Sequence, residues 1–174
     1  MTLVGAAARE LPVAFDAGCV TVTSTEIRYD HCETDVSGGS TVIDGSFTAS
    51  ADGHTLAWDL TVSTNLDISG TQSAASYHQS GSITVTATTI TGDMLAEVHA
   101  DAAYAGTHYT YGMSEALVLD LTYQSSPACV VAGTLEAKRV WTERPNGVPT
   151  SSLPDRAAKI VWTGCNQATF SSST

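Results

Sequence analysis

The chain is poor in positive charge, with seven Lys and Arg against 18 Asp and Glu, for a net charge of −11. A field of that sign repels phosphate backbones and anionic lipid surfaces, so nucleic-acid binding is not expected. Long apolar runs are missing too, and no stretch reaches the ~20 residues of a transmembrane helix. Proline is scarce, and three of the five prolines, Pro145, Pro149 and Pro154, crowd into one connection with Gly147. Residues 143–155 therefore read as the one long loop, the kind of segment that often carries function. There is no G-x-S-x-G elbow, H-E-x-x-H pair or phosphate-cradling glycine loop, so no enzymatic activity and no cofactor has positive support.

What the chain does have is alternation. Its 174 residues, 43% hydrophobic, suffice for one domain, and strand patterns fill most of it. With Asp52-Gly53 as a type I′ turn, Phe47 faces Trp58, Ala49 faces Leu56 and Ile43 faces Val62, while Thr48 meets Ala57 and Ser50 meets Thr55. One face is apolar and the other polar, as a half-buried antiparallel sheet requires. A turn at Gly92-Asp93 sets Ala87, Val85 and Ile83 against Val98, Ala100 and Ala102, and one at Ala105-Gly106 sets Ala102 against Tyr109 and Val98 against Met113. A loop Gln79-Ser80-Gly81, with glycine free to take positive φ, aligns Tyr77 with Ile83. The expected fold is an all-β antiparallel up-and-down meander of about 8–11 strands, forming a barrel or a strongly curved sheet. A short helix over residues 2–11, ended by Pro12, precedes it. The strand faces read as outward carry Thr, Ser, Asp and Glu, which argues against a lipid-facing barrel.

Four cysteines, with no C-x-x-C pair, suit strand-end bridges better than a zinc site, and the expected pairs are Cys19–Cys32 and Cys129–Cys165. Two bridges imply an oxidising compartment. No leader is visible at Met1, so the expectation is an exported protein whose leader has been removed. At Tyr29-Asp30-His31-Cys32, Ile43-Asp44-Gly45-Ser46 and Trp162-Thr163-Gly164-Cys165 the chain resembles uncharacterised all-β secreted or lipoprotein-type domains of Gram-negative bacteria. That resemblance implies export and a β-rich fold, and no activity or site residues.

Two constellations carry chemistry. Along the strand after Thr107, Tyr109, Tyr111, Met113, Glu115, Leu117, Leu119, Leu121 and Tyr123 share one face, and Glu115 interrupts an otherwise apolar series. If Tyr123 pairs with Cys129, Arg139 lies diagonally beside Glu115, and the pair, with Tyr109, Tyr111 and Trp141, forms a candidate ligand site. A β-bulge at Gly112 would send Glu115 to solvent instead, and a purely structural ion pair is the other plain explanation. Glu97, His99 and Asp101 project together from one strand and form a candidate metal site, set against the ordinary reading of charged residues on a solvated face. Asp30, Glu33 and Asp35, near Gly38 and Gly39, lack EF-hand spacing and read as a solvated loop. The most economical function is a non-catalytic surface or periplasmic module, partnered by an unidentified protein or a small apolar ligand. The alternative is a small-molecule-binding barrel with Glu115 as ligand anchor or acid–base group.

Overall fold

The computed structural model describes residues 18–104, 106–144, 154–165 and 167–174. The expected helix over 2–11 and most of the proline-rich loop lie outside the described residues. Ten strands follow one another: β1 (Val20–Val22), β2 (Glu26–Val36), β3 (Gly39–Ala49), β4 (Thr55–Ile68), β5 (Thr71–Val85), β6 (Thr89–Tyr104), β7 (Thr107–Ser125), β8 (Ala128–Glu143), β9 (Arg156–Gly164) and β10 (Gln167–Ser173). Each pairs antiparallel with the next in a single ten-stranded sheet, which curls but does not close. The all-β meander expected from the alternation is therefore the fold.

Register puts the apolar residues in ranks that cross the sheet. One rank runs Ile27, Phe47, Trp58, Gly81, Met94, Leu117, Ala137 and Ala158. The next runs Tyr29, Gly45, Leu60, Gln79, Ala96, Glu115, Arg139 and Arg156. Of the five buried residues among those described, the four with side chains, Ile27, Tyr29, Cys32 and Ala96, belong to this face, which makes it the more sheltered side of the curl; the fifth is Gly112. Burial pushes the Tyr29 phenol above its ordinary pKa. A bulge at Asp30 and His31, where His31 takes φ 52°, switches the parity of β2 so that Cys32 joins the same face. Asp44 holds that bulge by accepting a 2.7 Å hydrogen bond from the His31 backbone N–H.

Large rings stand opposite glycines at three places: Tyr29 against Gly45, Trp58 against Gly81, and Trp162 against Gly133. A cross-strand aromatic covers the surface a glycine leaves bare, and the missing Cβ gives the ring room to lie flat. At Gly81 a Cβ would come within 2.8 Å of the Trp58 ring. Gly45 and Gly133 take φ of +123° and +119°, and a Cβ on either would meet a carbonyl oxygen of the neighbouring strand at 2.0 Å. Only glycine satisfies both conditions, so these two positions mark where the sheet bends.

Several pairings match expectation and several do not. Phe47↔Trp58, Ala49↔Leu56, Ile43↔Val62, Ala102↔Tyr109 and Val98↔Met113 are as expected. The turn at Asp52-Gly53 is not type I′, because Gly53 alone has positive φ while its N–H donates to the Ser50 carbonyl. The two-residue turn with both central residues at positive φ is instead Ser69-Gly70, joining β4 to β5. Gly92-Asp93 is no turn: both residues lie within β6, and the reversal occurs at Thr86–Thr89, where the Thr86 hydroxyl accepts the Thr88 and Thr89 backbone N–H groups. Gln79, Ser80 and Gly81 likewise lie inside β5, which pairs Tyr77 with Val98. The reason is one of parity. Expected and observed β5–β6 registers differ by an even number of residues, and an even slip leaves every side chain on its own face.

Both expected disulfides form, Cys19–Cys32 and Cys129–Cys165, with Cα atoms 5.2 and 5.6 Å apart. The first ties the residue before β1 to β2, and the second laces β8 to the end of β9. Closing loops of 13 and 36 residues corresponds to about 3 and about 4 kcal/mol of chain entropy respectively. Replacing Cys129 and Cys165 by serine should therefore lower denaturant stability more than replacing Cys19 and Cys32. In the same melts, Gly45→Ala should cost about 1–3 kcal/mol through its backbone conformation alone. Gly53→Ala should cost less, because Gly53 has open space beside it.

Candidate functional site

The sheltered face carries one cluster of charge. Glu115 on β7 and Arg139 on β8 stand directly opposite, rather than diagonally, and the Arg139 guanidinium donates to a Glu115 carboxylate oxygen through Nε and also pairs through a terminal nitrogen. The shift from the expected register follows from the β7–β8 turn, which puts Tyr123 against Val130 rather than Cys129 and is followed by a bulge. A second irregularity lies beside Gly112, in its pairing with Glu143. It leaves Glu115 where it was, because the β6–β7 ladder runs unbroken from Thr107 to Thr122 and holds Glu115 opposite Ala96. Arg156 on β9 faces Arg139, giving an acid and two bases in one line. Beside that line, Met94, Leu117 and Ala158 help form an open groove of about 410 Å³.

The pair is not buried: the Arg139 and Glu115 side chains are 43% and 39% exposed. Tyr109 and Tyr111 extend the same face toward one end of β7 and are exposed, while Trp141 stands opposite Met113. The five residues expected to bind a ligand thus share one face, but only Glu115 and Arg139 border the groove. Arg156, which also borders the groove, escaped the sequence reading because the β8–β9 register depends on a loop without alternation.

The opposite face holds its histidines in separate small groups with carboxylates. Glu97 and Asp59 flank His78, at 3.4 and 3.1 Å. His99 meets Glu143 at 3.7 Å, and Asp101 meets His108 at 3.5 Å. Glu97, His99 and Asp101 therefore share a strand face yet each turns to a different neighbour, and no group of three such residues is placed to hold a metal among the described residues. Asp30, Glu33 and Asp35 lie along β2, which extends to Val36, rather than in a loop. Near them, Asp35, Asn65, Gln72, Asp101 and His108 rim a polar depression of about 610 Å³.

Hydrogen bonding to Asp59 is the largest influence and holds the His78 imidazole above its ordinary pKa; desolvation opposes it, and a lesser hydrogen bond to Glu97 adds to the rise. On Asp52, hydrogen bonds from the Ser50 hydroxyl and the His54 backbone N–H hold the carboxyl low.

No family model, curated protein or solved structure matches this chain.

Two measurements check these assignments. A folded-state pKa raised above the unfolded value adds stability that is complete below the unfolded value and is lost as pH rises through the folded one. His78→Gln should therefore be most destabilising near about pH 5.5 and converge on the parent above about pH 8, upward of the ordinary histidine pKa of about 6.5. Melting curves across that range decide it. For the half-exposed pair, Glu115→Gln should cost less than about 1 kcal/mol, with a similarly small coupling in a double-mutant cycle with Arg139→Met. A cost of several kcal/mol would show that the pair is desolvated.

Proposed function

We propose that this chain is a non-catalytic β-domain, exported from a bacterial cell, that acts as a structural or interaction module at the cell surface or in the periplasm. The observation that carries this reading is the sheet's apolar face, which no other described element covers. Every exposed large hydrophobic residue except Val118, among them Val22, Val36, Ile68, Tyr77, Tyr109, Tyr111 and Phe170, belongs to that one face. Large apolar side chains left exposed together on one face of a sheet mark an interaction surface. The two disulfides fit an oxidising compartment.

A second reading rests on the Glu115–Arg139–Arg156 groove. Two guanidiniums and one carboxylate beside Leu117, Ala137 and Ala158 suit a small molecule with an apolar body and an anionic end.

Fractionation of the native cells with an antibody against the chain tests the first reading. It predicts the protein outside the cytoplasm, with both disulfides intact on non-reducing peptide mapping; a cytoplasmic protein with four free thiols would refute it. A thermal-shift screen of small apolar acids tests the second. It predicts stabilisation of the parent that Arg139→Met together with Arg156→Met abolishes, and no shift with any acid would remove it.

A further inference from the structure

Cations are scarce in this chain, yet two of them stand directly opposite one another. Arg139 on β8 faces Arg156 on β9, a register that brings Cβ atoms to about 5 Å, where like charges repel. Glu115 answers only one of them, since its carboxylate already accepts from Arg139. Arg156 is exposed, and no acid among the described residues pairs with it. Two bases against one acid leave this line at +1 on a chain of −11, with one guanidinium unanswered.

The groove of about 410 Å³ lies beside that line, and every residue lining it is among those described. Leu117, Ala137 and Ala158 give it an apolar surface next to the guanidiniums. One rank further from the charges, register aligns Leu119, Leu135, Ile160 and Phe170. Phe170 is 68% exposed, so the apolar surface continues uncovered past the groove. From Arg156 to Ile160 the strand advances about 13 Å. An unanswered positive charge and an uncovered apolar rank thus share one face, separated by the length of a short hydrocarbon chain.

We propose that this groove binds a free long-chain monoanion of the fatty-acid type, its carboxylate between Arg139 and Arg156 and its tail laid over Ala158 toward Ile160 and Phe170. This deepens the small-molecule reading of the groove, on which it rests, by fixing the ligand's charge and the length and direction of its apolar body. Charge complementarity selects the head, because a carboxylate between two guanidiniums accepts hydrogen bonds from both and cancels their repulsion. Glu115 limits the ligand to one charge at that end. A second anionic group at the far end would lie on the Leu119, Ile160 and Phe170 rank, where desolvating it is costly. The chain's net −11 favours a dispersed ligand over the surface of an anionic membrane.

Titration calorimetry of the full chain with dodecanoate, kept below micelle formation, tests this. Dodecanoate should bind at least tenfold more tightly than octanoate, since each methylene laid on an apolar surface contributes up to about fourfold. Dodecanedioate and dodecyltrimethylammonium should each bind at least tenfold more weakly than dodecanoate. Arg156→Met should weaken dodecanoate at least tenfold while leaving the ligand-free melting temperature unchanged or higher, because it removes a like-charge contact; lost binding is thereby separated from lost folding. Phe170→Ser should bring dodecanoate toward the affinity of octanoate and leave octanoate itself unaffected. Octanoate and dodecanoate binding equally well, both through Arg156, would overturn the long-chain proposal and leave the small-acid reading standing. No binding of either acid would remove both. Equal binding of dodecyltrimethylammonium would overturn the assignment of the head group. Cosedimentation with phosphatidylglycerol vesicles, without any response to monomeric dodecanoate, would make the ligand a membrane and overturn the proposal.

Discussion

Cohesion among the described residues runs sideways, from strand to strand, because none of them forms a second layer over the sheet. Contacts between elements join consecutive strands, from β1 with β2 through to β9 with β10. A two-layer sandwich buries its apolar faces against each other; here only five of the described residues are buried. The backbone ladder, the cross-strand side-chain pairs and the two disulfides therefore carry what packing usually supplies. The first disulfide lies at the β1 edge of the sheet, and the second ties together two inner strands, β8 and β9.

That dependence explains the glycines. In a packed core the surroundings hold an aromatic ring, whereas in a single layer the ring must lie along the sheet itself. The Tyr29/Gly45, Trp58/Gly81 and Trp162/Gly133 pairs meet this need. The arrangement has a cost at Trp58, whose indole N–H is buried without an acceptor. The glycines at positive φ further supply the bends that let long strands curl.

The two faces divide the chemistry. Imidazole–carboxylate pairs occupy the polar face, each satisfied by its own neighbour, so the face reads as a set of solvated cross-strand pairs rather than a converging centre. The apolar face keeps one charged line, Glu115, Arg139 and Arg156, held at adjacent register positions by β7, β8 and β9.

Strand alternation by itself determined the fold class and the division into faces, because each follows from which side of a strand a residue occupies, while the disulfide partners followed from the position of the four cysteines near strand ends. Phe47 with Trp58 and Val98 with Met113 were legible for that reason. Register and turn position were only partly legible, since an even slip preserves both faces. Gly92-Asp93 resembled a turn, whereas Thr86, with high strand propensity, made one through its hydroxyl. Tertiary structure alone decided that Glu115 meets Arg139 directly, that Arg156 joins them, and that Glu97, His99 and Asp101 turn to three separate partners. It also decided that the sheet stays open. Closure depends on accumulated twist and bend over ten strands, set by local features such as the His31 bulge and Gly45, and no single strand's pattern encodes that sum.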